Sequence, residues 1–173
     1  GLFLFKNKLK ERTSDALQEL RKAEIRCVMA TGDNINTAIS VSEECHLVPP
    51  TDSIIKVQAQ LDKSGALRVH YNYSKYPDFV LRNFDNNTNA DMVDRGGNSR
   101  FDYHIAIDGN SFNTIKSADP LLFDRIVAKG TIFARMSPDQ KLSLVAQLQK
   151  QSHSVGMCGD GEQGSLRPII ALN

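Results

Sequence analysis

The chain of 173 residues is long enough for one domain with a real core. A formal charge of +1 gives no electrostatic case for nucleic acid or an anionic membrane surface, and no apolar run has the length of a membrane span or the layout of a signal peptide. Cys27, Cys45 and Cys158 are odd in number and lack CxxC spacing, which fits reduced thiols rather than disulfides or zinc; His46, His70, His104 and His153 form no metal-ligand spacing.

In chain order, Leu2 to Phe5 reads as a short strand, and Thr13 to Ala23 as a helix capped by Thr13 or Ser14 with Leu17 and Leu20 inward. A strand from Ile25 to Ala30 and a helix from Ile35 to Glu44 complete a β-α-β-α start, which Pro49 and Pro50 end. Ser53 to Leu61 and Ala66 to Tyr73 read as two strands around Asp62-Lys63-Ser64-Gly65, a hairpin. Tyr76 to Arg100 is rich in Asn, Asp, Arg and Gly and reads as a mobile surface insertion. The α/β pattern then resumes: strand His104 to Ile107, helical turns between Ser111 and Val127, strand Thr131 to Ala134, helix Ser137 to Gln149, strand Ser154 to Met157. Such alternation predicts a Rossmann-like α/β fold, with a parallel sheet, right-handed crossovers and helices on both faces. Ligands of such sheets gather beyond the carboxyl ends of the strands.

Three segments at strand ends carry chemistry. Ser137-Pro138-Asp139-Gln140-Lys141 opens a helix with a capping box and a proline at its first position, and Leu142, Val145 and Leu148 follow at helical spacing. Lys141 therefore stands in a first turn, where a cation opposes the helix dipole unless an anion is near. The competing reading is a solvated lysine on an exposed face. Thr31-Gly32-Asp33-Asn34 joins a strand to a helix and sets a hydroxyl beside free N–H groups, an arrangement that favours phosphate oxygens; an ordinary N-cap with a glycine turn is the alternative. Cys158-Gly159-Asp160-Gly161 places a carboxylate in a glycine turn after a strand, where it can meet Mg²⁺ or be a plain Asp-Gly turn.

In chain order, the segments of Thr31, Lys141 and Asp160 resemble the second, third and fourth motifs of the haloacid-dehalogenase-like phosphoryl-transfer fold. Met29-Ala30-Thr31-Gly32-Asp33-Asn34, Phe133-Ala134-Arg135-Met136-Ser137-Pro138-Asp139-Gln140-Lys141 and Gly156-Met157-Cys158-Gly159-Asp160-Gly161 resemble the phosphorylation domain of a P-type ATPase. The opening Gly1 to Lys10 and the Met-Cys-Gly-Asp-Gly run are similar to the P5 subfamily, especially P5B. The resemblance implies that Thr31 and the Gly32 backbone hold phosphoryl oxygens, that Lys141 offsets their charge, that Asp33 and Arg135 face the nucleotide of ATP, and that Asp160 ligates Mg²⁺. It further implies a membrane-embedded parent with nucleotide-binding, actuator and transmembrane domains. This chain would lie on the cytosolic side as a soluble piece, and P5B members are linked with polyamine export from late endosomes and lysosomes.

The chain departs from the family in three ways. It has no Asp-Lys-Thr-Gly-Thr run, the motif of the phosphorylated aspartate. Gln163 and Gly164 stand where the family has Asn and Asp after Gly-Asp-Gly, and Arg167 to Asn173 matches nothing expected. The expected organisation is an incomplete phosphorylation domain over 1–161, with first βα units at 1–49, a hairpin and insertion at 50–103 and second βα units at 104–161. Residues 162–173 form a divergent tail, disordered or non-native. Two other readings stand beside this one: a non-catalytic truncated product or interaction module with the same fold, and a stand-alone phosphatase using Asp108, which ends an apolar strand in Ile107-Asp108-Gly109.

Overall fold

Short β-branched strands buried on both faces call for helices above and below them, and this is how the chain is built. A computed structural model describes residues 9–73, 103–158 and 169–172. The elements are α1 (Thr13–Lys22), β1 (Arg26–Ala30), α2 (Ile35–Glu44), β2 (Ser53–Leu61), β3 (Leu67–Tyr73), β4 (Tyr103–Asp108), α3 (Gly109–Ala118), α4 (Pro120–Lys129), β5 (Gly130–Ala134), α5 (Pro138–Lys150), β6 (Val155–Cys158) and β7 (Ile169–Leu172). The described strands form one seven-stranded sheet in the order β3-β2-β4-β5-β1-β7-β6. Its centre is parallel: β2 pairs with β4, β4 with β5, and β5 with β1.

The period-2 alternation of the strands divides the core in two. Met29, Ile54, Ala106, Ile132 and Ala134 face Leu17 of α1 and Ile35 and Ala38 of α2. Val28, Ile55, Ile105, Ile107 and Phe133 face Phe112, Ile115, Phe123, Ile126, Leu144 and Leu148 of α3, α4 and α5. Phe112 is the hinge of that second layer, edge-on to Phe123 at 4.8 Å and to Phe133 at 6.1 Å between ring centroids. Burying a Phe or Leu of this kind contributes about 1.5–3 kcal/mol. The crossover from β1 to β2 therefore runs on one face, and those from β4 to β5 and β5 to β6 return on the other, which is the doubly wound arrangement.

Several expectations change in detail. The N-cap of α1 is Arg12, with no side-chain cap bond, because Thr13 already lies inside the helix. The turns between Ser111 and Val127 are two helices, α3 and α4, separated by Asp119, which caps the second by accepting from the Leu122 amide at 3.0 Å. In α5 the inward stripe is Lys141, Leu144 and Leu148, whereas Leu142 is 65% exposed. The hairpin joins the sheet: β2 is a parallel neighbour of β4, and β3 forms one edge. Ile169–Leu172 is a strand inserted between β1 and β6, antiparallel to both. The expected first strand at Leu2 to Phe5, the insertion at Tyr76 to Arg100 and the Gly-Asp-Gly turn lie outside the described residues.

Candidate functional site

At the carboxyl ends of β1 and β5 the two strands continue to pair after their regular geometry has ended. The Thr31 amide donates to the Phe133 carbonyl at 2.8 Å, the Met136 amide to the Thr31 carbonyl at 2.9 Å, and the Arg135 amide to the Asp33 carbonyl at 2.9 Å. The two loops are thus zipped together by backbone alone, and Thr31, Asp33 and Arg135 are fixed relative to one another. Arg135 takes φ 49, the left-handed region that a non-glycine residue enters only when its surroundings hold it there. Its side chain is exposed.

The Thr31 hydroxyl accepts from the Asp33 amide at 3.1 Å and is 2% exposed as a residue. It does not cap α2. That role belongs to Asn34, whose side chain accepts from the Asn36 amide at 2.9 Å. The segment is a tight loop that presents a threonine and a glycine ahead of α2, with an ordinary N-cap at Asn34. Among the described residues, a Cβ built on Gly32 would meet no atom beyond its chain neighbours within 4 Å, so among them the space above this glycine is open.

Lys141 comes to the same end of the sheet from α5. Ser137 caps that helix, accepting from the Gln140 amide, and the Gln140 side-chain oxygen accepts from the Ser137 amide at 2.9 Å. Gln140 also donates through Nε2 to the Gly109 carbonyl at 2.7 Å, which binds the start of α5 to the start of α3. The lysine is 6% exposed, so the solvated-face reading does not hold. Burial pushes its pKa below the ordinary value, and the negative charge of Asp33 pulls it partly back. That attraction links the β1 loop to α5 electrostatically as well as by backbone.

Asp108 ends β4 at this same edge, in register with Ala134, and its Oδ1 accepts from the Ser111 amide at 2.8 Å as the cap of α3. Ser111 in turn accepts from the Ala59 amide at 3.0 Å, so this carboxylate anchors the β2–β4–α3 junction. Cys158 closes β6, which runs in the direction of β1, but Asp160 lies outside the described residues. Among the described residues no group of three or more His, Cys, Asp and Glu side chains could hold a metal ion.

No family model matches the chain. Against curated proteins it is 38% identical over 167 residues to the mouse Polyamine-transporting ATPase 13A3, 39% over 166 residues to the human Probable cation-transporting ATPase 13A4, and 38% over 163 residues to the human Polyamine-transporting ATPase 13A2. The chain belongs with the P5B group of P-type ATPases. Each match covers 93% of this P5B chain but only 14% of the relative, so it spans about a seventh of their length. Among its described residues no helix is long and apolar enough to cross a membrane.

The sequence also hides contacts that matter to this edge. Gln140 is visible as a capping residue, but its second bond to Gly109 is not, because the partner lies 31 positions away. The same is true of the close approach at Gly109, where a Cβ would stand 2.4 Å from the Arg135 carbonyl oxygen and 2.5 Å from the Gln140 side-chain oxygen.

Proposed function

We propose that this chain forms the phosphate-binding part of the phosphorylation domain of a P5-type, ATP-driven cation transporter. The observation that carries the reading is Lys141: a lysine buried in the first turn of a helix, at the strand end where Thr31 and the open space above Gly32 also lie. An ammonium in the first turn of a helix adds its charge to the partial positive charge of the helix N-terminus, and together they favour an anion. In a low-dielectric site such a charge stabilises transferring phosphoryl oxygens more strongly than in water.

The roles follow from position. Thr31 and the Gly32 amide bind phosphoryl oxygens, Lys141 neutralises their charge, and Asp33 with the exposed Arg135 borders the side from which a nucleotide approaches. The charge of Asp33 favours the protonated form of Lys141, partly offsetting the effect of burial. The Mg²⁺ that ATP chemistry brings would be held through Asp160, a reading that rests on sequence resemblance alone. The phosphorylated aspartate is assigned to a segment outside this chain, and so is every contact with a transported cation or polyamine. Asp108, engaged as the cap of α3, is assigned a structural role.

The test is titration of the chain with inorganic phosphate, followed through the amides of residues 31–34 and 139–141. Saturable shifts confined to those amides, and lost in Lys141→Met, are expected. Shifts that are absent, or unchanged in Lys141→Met, would overturn the proposal. The chain alone is expected to form no phosphoenzyme from ATP, because positioning accelerates phosphoryl transfer only when a nucleophile is present.

A further inference from the structure

Gln140 is the third residue of α5, a position where a capping box accepts glutamine or glutamate alike. All the box asks of that side chain is an oxygen for the N-cap amide. Here the side chain makes a second bond. Its Oε1 accepts from the Ser137 amide at 2.9 Å, while its Nε2 donates to the Gly109 carbonyl at 2.7 Å. A carboxylate cannot donate that second bond, and a reversed amide would set N–H against N–H and oxygen against oxygen. Only a neutral amide, in this one orientation, fits both partners.

The far end of the bridge is rigid. Gly109 opens α3, which the Asp108 carboxylate caps by accepting from the Ser111 amide at 2.8 Å. The Ser111 hydroxyl in turn accepts from the Ala59 amide of β2 at 3.0 Å. The backbone here packs too closely for a side chain, since a Cβ on Gly109 would lie 2.4 Å from the Arg135 carbonyl oxygen. The near end is the first turn of α5, whose amides lack intrahelical partners and which frays unless tied down. Lys141, buried at this turn, follows Gln140 directly.

We propose that Gln140 is a positioning residue of the phosphate site, clamping the first turn of α5 to the fixed start of α3 and so setting where the Lys141 ammonium stands. Lysine is a point charge on a flexible stem, so its reach to an anion depends on how firmly its helix turn is held. The role in anion binding rests on the phosphate reading given above. The clamp itself rests on the two bonds alone.

The test sets two variants of the same helix start against each other. Ser137→Ala removes the hydroxyl that accepts from the Gln140 amide at 3.3 Å, but leaves both side-chain bonds of Gln140 in place. Gln140→Met, of similar length, removes the bridge. Both should lower the midpoint of urea unfolding. Only Gln140→Met should weaken the binding of inorganic phosphate, by at least about tenfold, as the loss of one charge-assisted hydrogen bond would. Lys141 is read directly through the chemical shift of its ε carbon against pH. Burial lowers its pKa against the pull of Asp33, so a lysine loosened in Gln140→Met should titrate nearer 10.5, while in Ser137→Ala it should not move. Gln140→Glu adds a reading by stability. A capping role alone predicts a chain at least as stable as the unaltered one, helped by the helix dipole; the clamp predicts a less stable one.

Equal loss of phosphate binding in Ser137→Ala and Gln140→Met would overturn the proposal. So would an unmoved Lys141 titration in Gln140→Met, or a Gln140→Glu chain as stable as the unaltered one. If the unaltered chain binds no phosphate while the Lys141 titration still shifts in Gln140→Met, the clamp stands and the phosphate reading falls.

Discussion

The two ends of the parallel sheet each bury polar side chains, and they do so in opposite ways. At the amino end, His104 of β4 bonds through Nδ1 to the Thr131 hydroxyl at 2.9 Å and through Nε2 to the Asp52 carboxylate at 3.1 Å. Three side chains from three segments complete one another there, with Asp52 taking a further bond from the Thr51 hydroxyl at 2.9 Å. At the carboxyl end, the polar side chains are positioned by backbone bonds and by a helix cap, the lysine in the first turn of α5 is buried, and Gly32 is exposed. The first cluster is closed and serves the fold. The second is built to the same standard of rigidity but remains open toward solvent, and that openness suits a ligand. Stability and anion binding should therefore separate by end.

The largest effect on stability is expected from breaking the closed cluster. His104→Leu strips Thr131 and Asp52 of a shared partner, and each buried polar group left unsatisfied costs about 1–3 kcal/mol. A loss of about 2–4 kcal/mol in urea unfolding is expected, with phosphate binding unchanged in the protein that remains folded. A loss below about 0.5 kcal/mol would show that water replaces the histidine and that the amino end is not closed.

A smaller effect is expected from Gly109→Ala, at the carboxyl end. The new methyl would press on the Arg135 carbonyl, which belongs to a backbone zipped to the β1 loop and cannot yield as a flexible side chain does. Overpacking of this kind costs about 1–3 kcal/mol, and here it should also weaken phosphate binding by moving the loop. Stability lost with binding intact would mean that Arg135 and the loop do not shape the site.

Much of this edge was open to sequence reasoning because its signals are local. Ser137, Pro138 and Gln140 announce a capped helix within four residues, and Thr31-Gly32 marks a tight turn after an apolar run. The phase of α5 was misread for a physical reason: with Lys141 on the inward stripe, the visible leucine pattern appeared to begin at Leu142, one residue late. The His104 cluster could not be read at all, since its partners lie 27 and 52 positions away and only the sheet brings them together. The place of β7 was hidden for the same reason. Nothing within Ile169 to Leu172 says which strands it enters between, or in which direction.

Lys141 gives a test in which the sign matters. Its pKa is lowered in the fold from an ordinary value of 10.5, chiefly by burial. Over the window between the lowered value and 10.5 the unfolded chain binds more protons than the native one, so unfolding free energy rises with pH there. Below that window the charged lysine is a standing cost to the fold. Lys141→Met should therefore equal or exceed the unaltered chain in stability at neutral pH, and the advantage should shrink as pH rises toward 10.5. Phosphate binding should be lost at every pH. A stability difference that does not change with pH would mean that the ammonium is well solvated and that its burial has no functional cost.

The smallest change in stability, and the sharpest separation of the two properties, belongs to Gly32→Ala. Among the described residues nothing beyond the chain neighbours lies within 4 Å of the added Cβ, and Gly32 does not occupy the left-handed region, so neither contact with them nor backbone strain opposes the alanine. A surface change of this kind normally stays within about 0.5 kcal/mol, and the reduced freedom of the unfolded chain could offset even that. Yet the methyl would stand in the space through which an oxygen must approach the amides at the start of α2. Unfolding midpoints should be nearly equal for the two chains, while phosphate-induced shifts at residues 31–34 weaken severalfold. If Gly32→Ala binds phosphate as well as the unaltered chain, the open space is merely unfilled, and the anion site must be sought nearer Lys141 alone. A chain that instead loses both stability and binding would show that the loop needs glycine for its own geometry. Only the loss of binding at constant stability marks a position kept clear for a ligand.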